Sequence, residues 1–245
     1  MKKKEYANME ALDGSHWWFL GMTAIMISVL DRFISHKARV RVLDAGCGTC
    51  WFSKSLMKYG SVTALDIEPS LEPVCKSRGV ERFVVGDAVS MPFEDGMFDL
   101  VVCSEVLYHQ YVKDDTQVMK EFLRVLKPGG RVLVKVPAHA YLGGAHDEVN
   151  LTRHRYEKNE VRNLFINTGF EVEFLSYANC FLFPVIFLKR VLERVLPGEL
   201  GSDVRSVPVF LNKVLFGVLR CEATILSRMP LPQGSSIICV GRKHA

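Results

Sequence analysis

The chain has 245 residues, room for one large domain or a domain with an insertion, and it can bury a core without disulfide or metal staples. With 49% hydrophobic and 24% charged residues, 18 glycines and 10 prolines, it falls outside the collagen-like and disordered classes. A formal net charge of +4 is too small for a chain whose main task is gripping nucleic acid, so no nucleic-acid partner is expected.

The opening MKKKEYANMEALDGSHWWFLGM sets basic residues ahead of an apolar run, but Glu5, Glu10 and Asp13 interrupt them. No small-residue cleavage site follows, so this is not read as a signal peptide. Trp18, Met22, Ile25, Met26, Val29 and Phe33 recur at spacings of three and four, which predicts a helix. Val40–Leu43 then reads as a strand, Phe52, Leu56 and Met57 as a helix, and Ser61–Leu65 as a second strand ending at Asp66. Leu71, Val74 and Cys75 suggest a helix, Arg82–Val85 a third strand, and the apolar run Leu100–Cys103 a strand buried on both faces. Residues 118–126 form a helical pattern stopped by the turn Lys127-Pro128-Gly129-Gly130, with a fifth strand at Arg131–Val136.

Strands alternating with helices in this way mean βαβ units and a parallel sheet. The fold class predicted is α/β: a Rossmann-like, doubly wound, mostly parallel seven-stranded sheet. A helix near Glu157–Asn167, a strand at Glu171–Ser176 and a closing strand at Ser236–Val240 complete it. The stretch between the last two strands is helical and apolar, broken by Pro184, Pro197 and Pro208. The organisation expected is a helical cap over 1–37, a core over 38–179, a helical insertion over 180–230 and a closing strand over 231–245. The longest apolar runs fall short of the roughly 20 residues that span a bilayer. Seven scattered cysteines point to a reducing compartment, so the protein is expected in the cytoplasm, or at most lying on a membrane.

The sharpest signal is Val42-Leu43-Asp44-Ala45-Gly46-Cys47-Gly48-Thr49-Cys50, directly between the first strand and its crossover helix. Glycines let the backbone turn tightly and approach a ligand closely, beside the N–H groups that open a helix. Asp66 ends the second strand, where a carboxylate can accept ribose hydroxyls. Gly86-Asp87-Ala88 follows the third strand and Ser104-Glu105 the fourth. All four turns fall at carboxyl ends of parallel strands, where open α/β sheets bind ligands.

Through VLDAGCGTC, TALDIEPS, GDAVSMPFEDGMFDLVVCSEVLYHQ and LKPGGRVLVKVP, residues 38–137 resemble the class I S-adenosylmethionine-dependent methyltransferases. The resemblance implies that Gly46 and Gly48 pack against the methionine part of that cofactor, that Asp66 binds its ribose, and that Asp87 and Ala88 contact its adenine. Asp44, Cys47, Ile67, Ser104, Glu105 and Trp17 complete the implied cofactor set, with Asp44 read as a carboxylate holding backbone N–H groups. The family's third glycine is Cys50 here, and a Cβ at that place crowds the turn. A nicotinamide dehydrogenase would need a glycine where Trp51 stands. Cys47 and Cys50 form a C-x-x-C at a helix start, but the glycine context explains the turn without redox chemistry, and no second C-x-x-C completes a metal site.

The segment His16-Trp17-Trp18-Phe19, the stretch ending Arg153-His154-Arg155-Tyr156, Gly169-Phe170 and the apolar Asn179–Pro184 region together resemble a bacterial and archaeal methyltransferase subgroup often linked to cell-surface glycans or lipid-linked sugars. An alcohol acceptor needs a base, and His109 is the first candidate, with His146 and His154 behind it. The expected reaction is therefore O-methylation of a glycan, lipid-linked or small-molecule acceptor. The competing readings are a cofactor-binding partner subunit without catalysis and a peripheral membrane protein. The apolar 180–230 stretch is read as a cap over the acceptor, with a homodimer contact as the second use.

Overall fold

The computed structural model describes residues 3–35, 39–195 and 206–244. Helices α1 (Lys3–Leu12) and α2 (Trp17–Leu30) precede a regular alternation of β1 (Val40–Ala45), α3 (Trp51–Leu56), β2 (Gly60–Asp66), α4 (Glu72–Ser77) and β3 (Arg82–Val85). Strand β4 (Phe98–Ser104), α5 (Asp115–Val125) and β5 (Leu126–Pro137) continue it, followed by α6 (Ala145–Val149), α7 (Lys158–Asn167) and β6 (Phe170–Ala178). Helices α8 (Phe183–Val195) and α9 (Val209–Leu226) come before β7 (Ser236–Lys243).

The seven strands form one sheet in the order β3-β2-β1-β4-β5-β7-β6. The pairs from β3 to β5 are parallel, and β7 runs antiparallel between β5 and β6. This is the Rossmann-like α/β sheet that the sequence predicts. Chain order reverses direction across the sheet between β1 and β4, so the crossovers leave on opposite sides and open a crevice at the carboxyl ends of those strands.

Side-chain alternation along the central strands feeds two cores. Leu43, Ala45, Val101 and Cys103 join one face, packed by Met119, Phe122 and Phe165 from α5 and α7. Val42, Leu100 and Val102 join the other, packed by Ile25 and Val29 of α2, Leu56 of α3 and Leu219 and Leu226 of α9.

Two boundaries differ from the sequence reading. Strand β5 begins at Leu126 and runs through the Lys127-Pro128-Gly129-Gly130 turn, because Phe98 pairs with Leu126 while Leu100 already pairs with Arg131. The turn is a bulge within the strand, with Gly129 at φ +75 supplying the left-handed residue. The 180–230 stretch is also not one unit. Helix α9 is part of the core: Leu219 and Leu226 are fully buried, and a Cβ on Gly21 of α2 would overlap Leu219. Buried Glu222 on α9 accepts the backbone N–H groups of Asn179 at 2.5 Å, Cys180 at 2.8 Å and Phe181 at 3.1 Å, tying the helix to the loop after β6. Helix α8 instead lies on the outside, with Val185, Leu188 and Leu192 exposed. Among the described residues no helix is long and apolar enough to cross a membrane.

Candidate cofactor and acceptor site

The turn after β1 is held to its neighbour strand, with the Gly46 and Cys47 N–H groups both donating to the Leu65 carbonyl at 2.8 and 3.0 Å. Gly46 sits at φ +78, and a Cβ there would strike the Val106 side chain, so both backbone and space demand glycine. Gly48, at φ +52, has no atom nearer to a built Cβ than Met9 Cε at 4.0 Å, which leaves its backbone open toward the crevice. Cys50 caps α3 at φ 58, so a side chain occupies the left-handed position where the resembling family has glycine.

Carboxylates ring this turn. Asp66 accepts the Gly48 N–H through one oxygen at 2.9 Å and the Glu68 N–H through the other at 3.1 Å. Each carboxylate oxygen has a second lone-pair site, so two hydroxyl hydrogens can still be accepted. Burial raises the Asp66 pKa, opposed by those same N–H donors. Asp44 does not face a free partner in the same way: it is buried, takes the Ser53 hydroxyl at 2.5 Å, and burial pushes its pKa up to about 7. Asp87 accepts the Val89 N–H at 3.0 Å and stays at the tip of its turn. Glu105, at φ +64, pairs with Lys135, whose ammonium is buried under the Trp18 ring.

All these groups face one cavity of about 540 Å³, within the range of small-molecule sites. Asp44, Gly46, Cys47, Gly48, Asp66, Ile67, Asp87, Ala88, Ser104, Glu105 and Trp17 all line it, so the structure brings the whole sequence-derived set together. These residues fit an adenosyl cofactor: the Gly46 cradle is one that a Cβ would fill, and a half-satisfied carboxylate stands beside it.

The candidate bases separate. His109 lines the cavity, its ring 4.6 Å from that of Tyr108, and its buried Nδ1 has no hydrogen-bond partner. Burial lowers its pKa, which keeps the ring neutral and able to take a proton near pH 7. His154 corrects the sequence reading: it lies off the cavity wall, its Nε2 is 2.7 Å from Glu160, and its ring stands edge-on to Tyr156. The Glu160 contact, six residues along, holds it toward α7 rather than the crevice. The side chain of His146 lies outside the described residues; the neighbouring Asp147 is held by Arg155 at 2.8 Å.

The sequence reading missed the contribution of α1. Tyr6, Met9 and Asp13, spaced by three and four, line the cavity from that helix and the turn after it. Asp13 is buried, takes the Thr49 hydroxyl at 2.6 Å, and is gripped by both terminal nitrogens of Arg78 at 2.6 and 3.1 Å. This latch ties the N-terminal helices to the glycine turn. A second correction concerns the cysteines. Cys50 is joined to Cys75 of α4 in a disulfide, so its sulfur pairs outside the C-x-x-C, which the glycine context alone does not explain.

Residues 43–134 match the family described as Methyltransferase domain. The ubiquinone biosynthesis O-methyltransferase of Xanthomonas oryzae is 39% identical over 104 residues, covering 40% of this chain and 43% of the relative. A malonyl-[acyl-carrier protein] O-methyltransferase of Erwinia pyrifoliae is 41% identical over 108 residues, 42% of this chain and 40% of that protein. The chain thus spans less than half the length of these curated relatives. In fold it is similar to an S-adenosylmethionine-dependent methyltransferase from Mesorhizobium loti, with a TM-score of 0.60, 16% identity, and coverage of 90% of this chain and 98% of the other. The glycine turn, the strand-end carboxylates and these likenesses agree: residues 43–134 match a methyltransferase domain, set in a sheet whose fold is similar to that of S-adenosylmethionine-dependent methyltransferases.

Proposed function

We propose that the chain is an S-adenosylmethionine-dependent O-methyltransferase acting on a small-molecule or lipid-linked acceptor. One observation carries this reading. A single cavity runs from the glycine turn and Asp66, past His109, to the apolar side chains Leu182, Val185, Ile186 and Leu215. When bound, the cofactor supplies a sulfonium methyl that needs no acid activation, so alignment alone can provide on the order of 7–11 kcal/mol. The chain's own work is then to hold and to deprotonate. Asp66 would hold the ribose and the Gly46–Gly48 backbone the methionine part. His109, kept neutral by burial and lining the cavity, accepts the proton of an acceptor hydroxyl, a step typically worth about 10²–10⁴-fold. The apolar wall excludes water and takes the acceptor's hydrocarbon part, with Lys189 at its edge to meet an anionic group.

The relatives named as O-methyltransferases support oxygen as the target. The test is incubation of the purified chain with methyl-labelled cofactor and fractionated cell extract, both aqueous and lipid. Label appearing in a base-dependent ether or ester product supports the reading. Cofactor binding without any transfer would instead favour a partner subunit.

A further inference from the structure

The sulfurs of Cys47, Cys50 and Cys75 lie within 4.8 Å of one another beneath the glycine turn. Two of them, Cys50 and Cys75, form a disulfide that ties the start of α3 to α4. Both bridged residues are fully buried and neither lines the cavity, whereas Cys47 forms part of the cavity wall and keeps 8% exposure. The Cys47 and Cys75 sulfurs each stand 3.7 Å from the same Gly48 carbonyl, on the turn that shapes the cavity. The Cys50 N–H donates to the Cys47 carbonyl at 2.9 Å, which folds these two residues toward each other.

We propose that this trio is a thiol–disulfide exchange site, in which Cys47 is the port through which a small dithiol in the cavity reduces the buried Cys50–Cys75 bridge. The Cys47 thiol gives up its proton and its sulfur attacks Cys50. A Cys47–Cys50 bond forms, the Cys50–Cys75 bond breaks, and Cys75 leaves as a thiolate that takes up a proton. One sulfur of the dithiol then attacks Cys47 at the cavity wall, releasing Cys50. The second sulfur of the dithiol displaces Cys47 and departs in a cyclic disulfide. In sum the protein bridge gains two electrons and two protons, and the dithiol loses them.

Burial and the neighbouring Asp44 and Asp66 carboxylates raise the Cys47 pKa, so exchange is slow near neutral pH and quickens as pH rises. The site also has a consequence for binding that rests on the proposed function. Cys47 lies in the turn that would carry the cofactor, so an occupied site should close the port.

The test uses the full chain, purified with the bridge formed, treated with dithiothreitol, trapped by alkylation and read by intact mass. Cys47→Ser and Cys47→Ala should both keep the bridge, melt as folded proteins, and lose it to dithiothreitol at least about tenfold more slowly than the parent chain. Equal rates in the parent and both folded variants would overturn the proposal, because reduction would then proceed by unfolding. Absence of a Cys50–Cys75 bridge after oxidation with oxidised dithiothreitol would overturn it as well. Saturating S-adenosylmethionine should slow reduction of the parent chain. If the Cys47 variants are slow but the cofactor protects nothing, the exchange site stands and the cofactor reading of the cavity fails.

Discussion

The two ends of the cavity are built by different means. The end beneath the glycine turn is made of backbone: two glycines at positive φ, N–H groups held by the Leu65 carbonyl, and carboxylates stationed at strand ends. Its side chains are locked inward, as in the Asp13–Thr49–Arg78 latch and the Asp44–Ser53 pair. The opposite end, where we place the acceptor, is made of side chains drawn from α2, α8 and α9, and its outer helix leaves Val185 67% exposed. A backbone site tolerates few sequences and serves one ligand shape. A side-chain site can be refaced without disturbing the sheet, which is how one fold hosts many acceptors.

His109 gives the largest expected effect and the sharpest division between the two ends. His109→Ala should lower turnover by about 10²–10⁴-fold while leaving cofactor affinity close to the parent's. Turnover and calorimetric affinity measured together check this, and an equal loss in both would move His109 to the cofactor end.

Glu222 tests whether α9 belongs with the acceptor end at all. Glu222→Ala strips three backbone N–H groups of their acceptor, and orphaned buried donors cost roughly 1–3 kcal/mol each, so a loss of about 3–5 kcal/mol is expected in denaturant titration. A mild effect would mean that α9 is an appended cap.

Asp44 turns the comparison into a pH experiment. Its pKa of about 7 in the folded protein lies above the ordinary carboxylate value, so the folded state binds this proton more tightly than the unfolded chain. Its contribution is therefore fully present in acid and is lost as pH rises from about 4 through about 7. Asp44→Asn, which keeps an acceptor for Ser53, should lack that decline and exceed the parent by on the order of 4 kcal/mol at pH 8. Urea midpoints across that range would show it.

Asp66→Ala removes the carboxylate proposed to accept the ribose hydroxyls, and hydrogen bonds to a charged group are worth roughly 1.5–3 kcal/mol. Cofactor affinity should fall by about ten- to hundredfold in a folded protein, as read by calorimetry. The smallest effect belongs to the outer helix. Val185→Ser should change stability by no more than about 0.5 kcal/mol, as exposed positions do, yet raise the acceptor KM by about three- to tenfold through lost apolar contact.

Legibility in the sequence follows the same division. Strands β1 to β4 and their turns were readable because local chemistry dictates them: β-branched runs end in glycine or acid, at spacings one crossover long. The helix α1 was not, since KKEYANMEAL is polar on average and only Tyr6 and Met9 mark its inner face. The Cys50–Cys75 bridge was hidden because a separation of 25 residues says nothing of contact until β2 and α4 are placed. Helix α9 was read with the rest of 180–230 as a cap, because only the fold shows that three N–H groups of the loop after β6 await the Glu222 carboxylate. Its core packing follows from tertiary placement, not from its own periodicity. His154 misled because a histidine beside two arginines reads as an acceptor-loop base, when Glu160 on the following helix holds it away.

The place of β7 has a consequence for the order of assembly during synthesis. Among the described residues it is the last strand in chain order, yet it sits inside the sheet and is the strand that joins β6 to β5. Until residues 236–243 have left the ribosome, β6 has no strand beside it and the edge of β5 stays open. Strands β1 to β5, which hold the glycine turn and its carboxylates, need nothing from that segment to pair with one another. The nascent chain can therefore form the ligand-gripping half first, while its far half waits with exposed strand edges, the state in which a partly made sheet protein is most prone to stick to its neighbours.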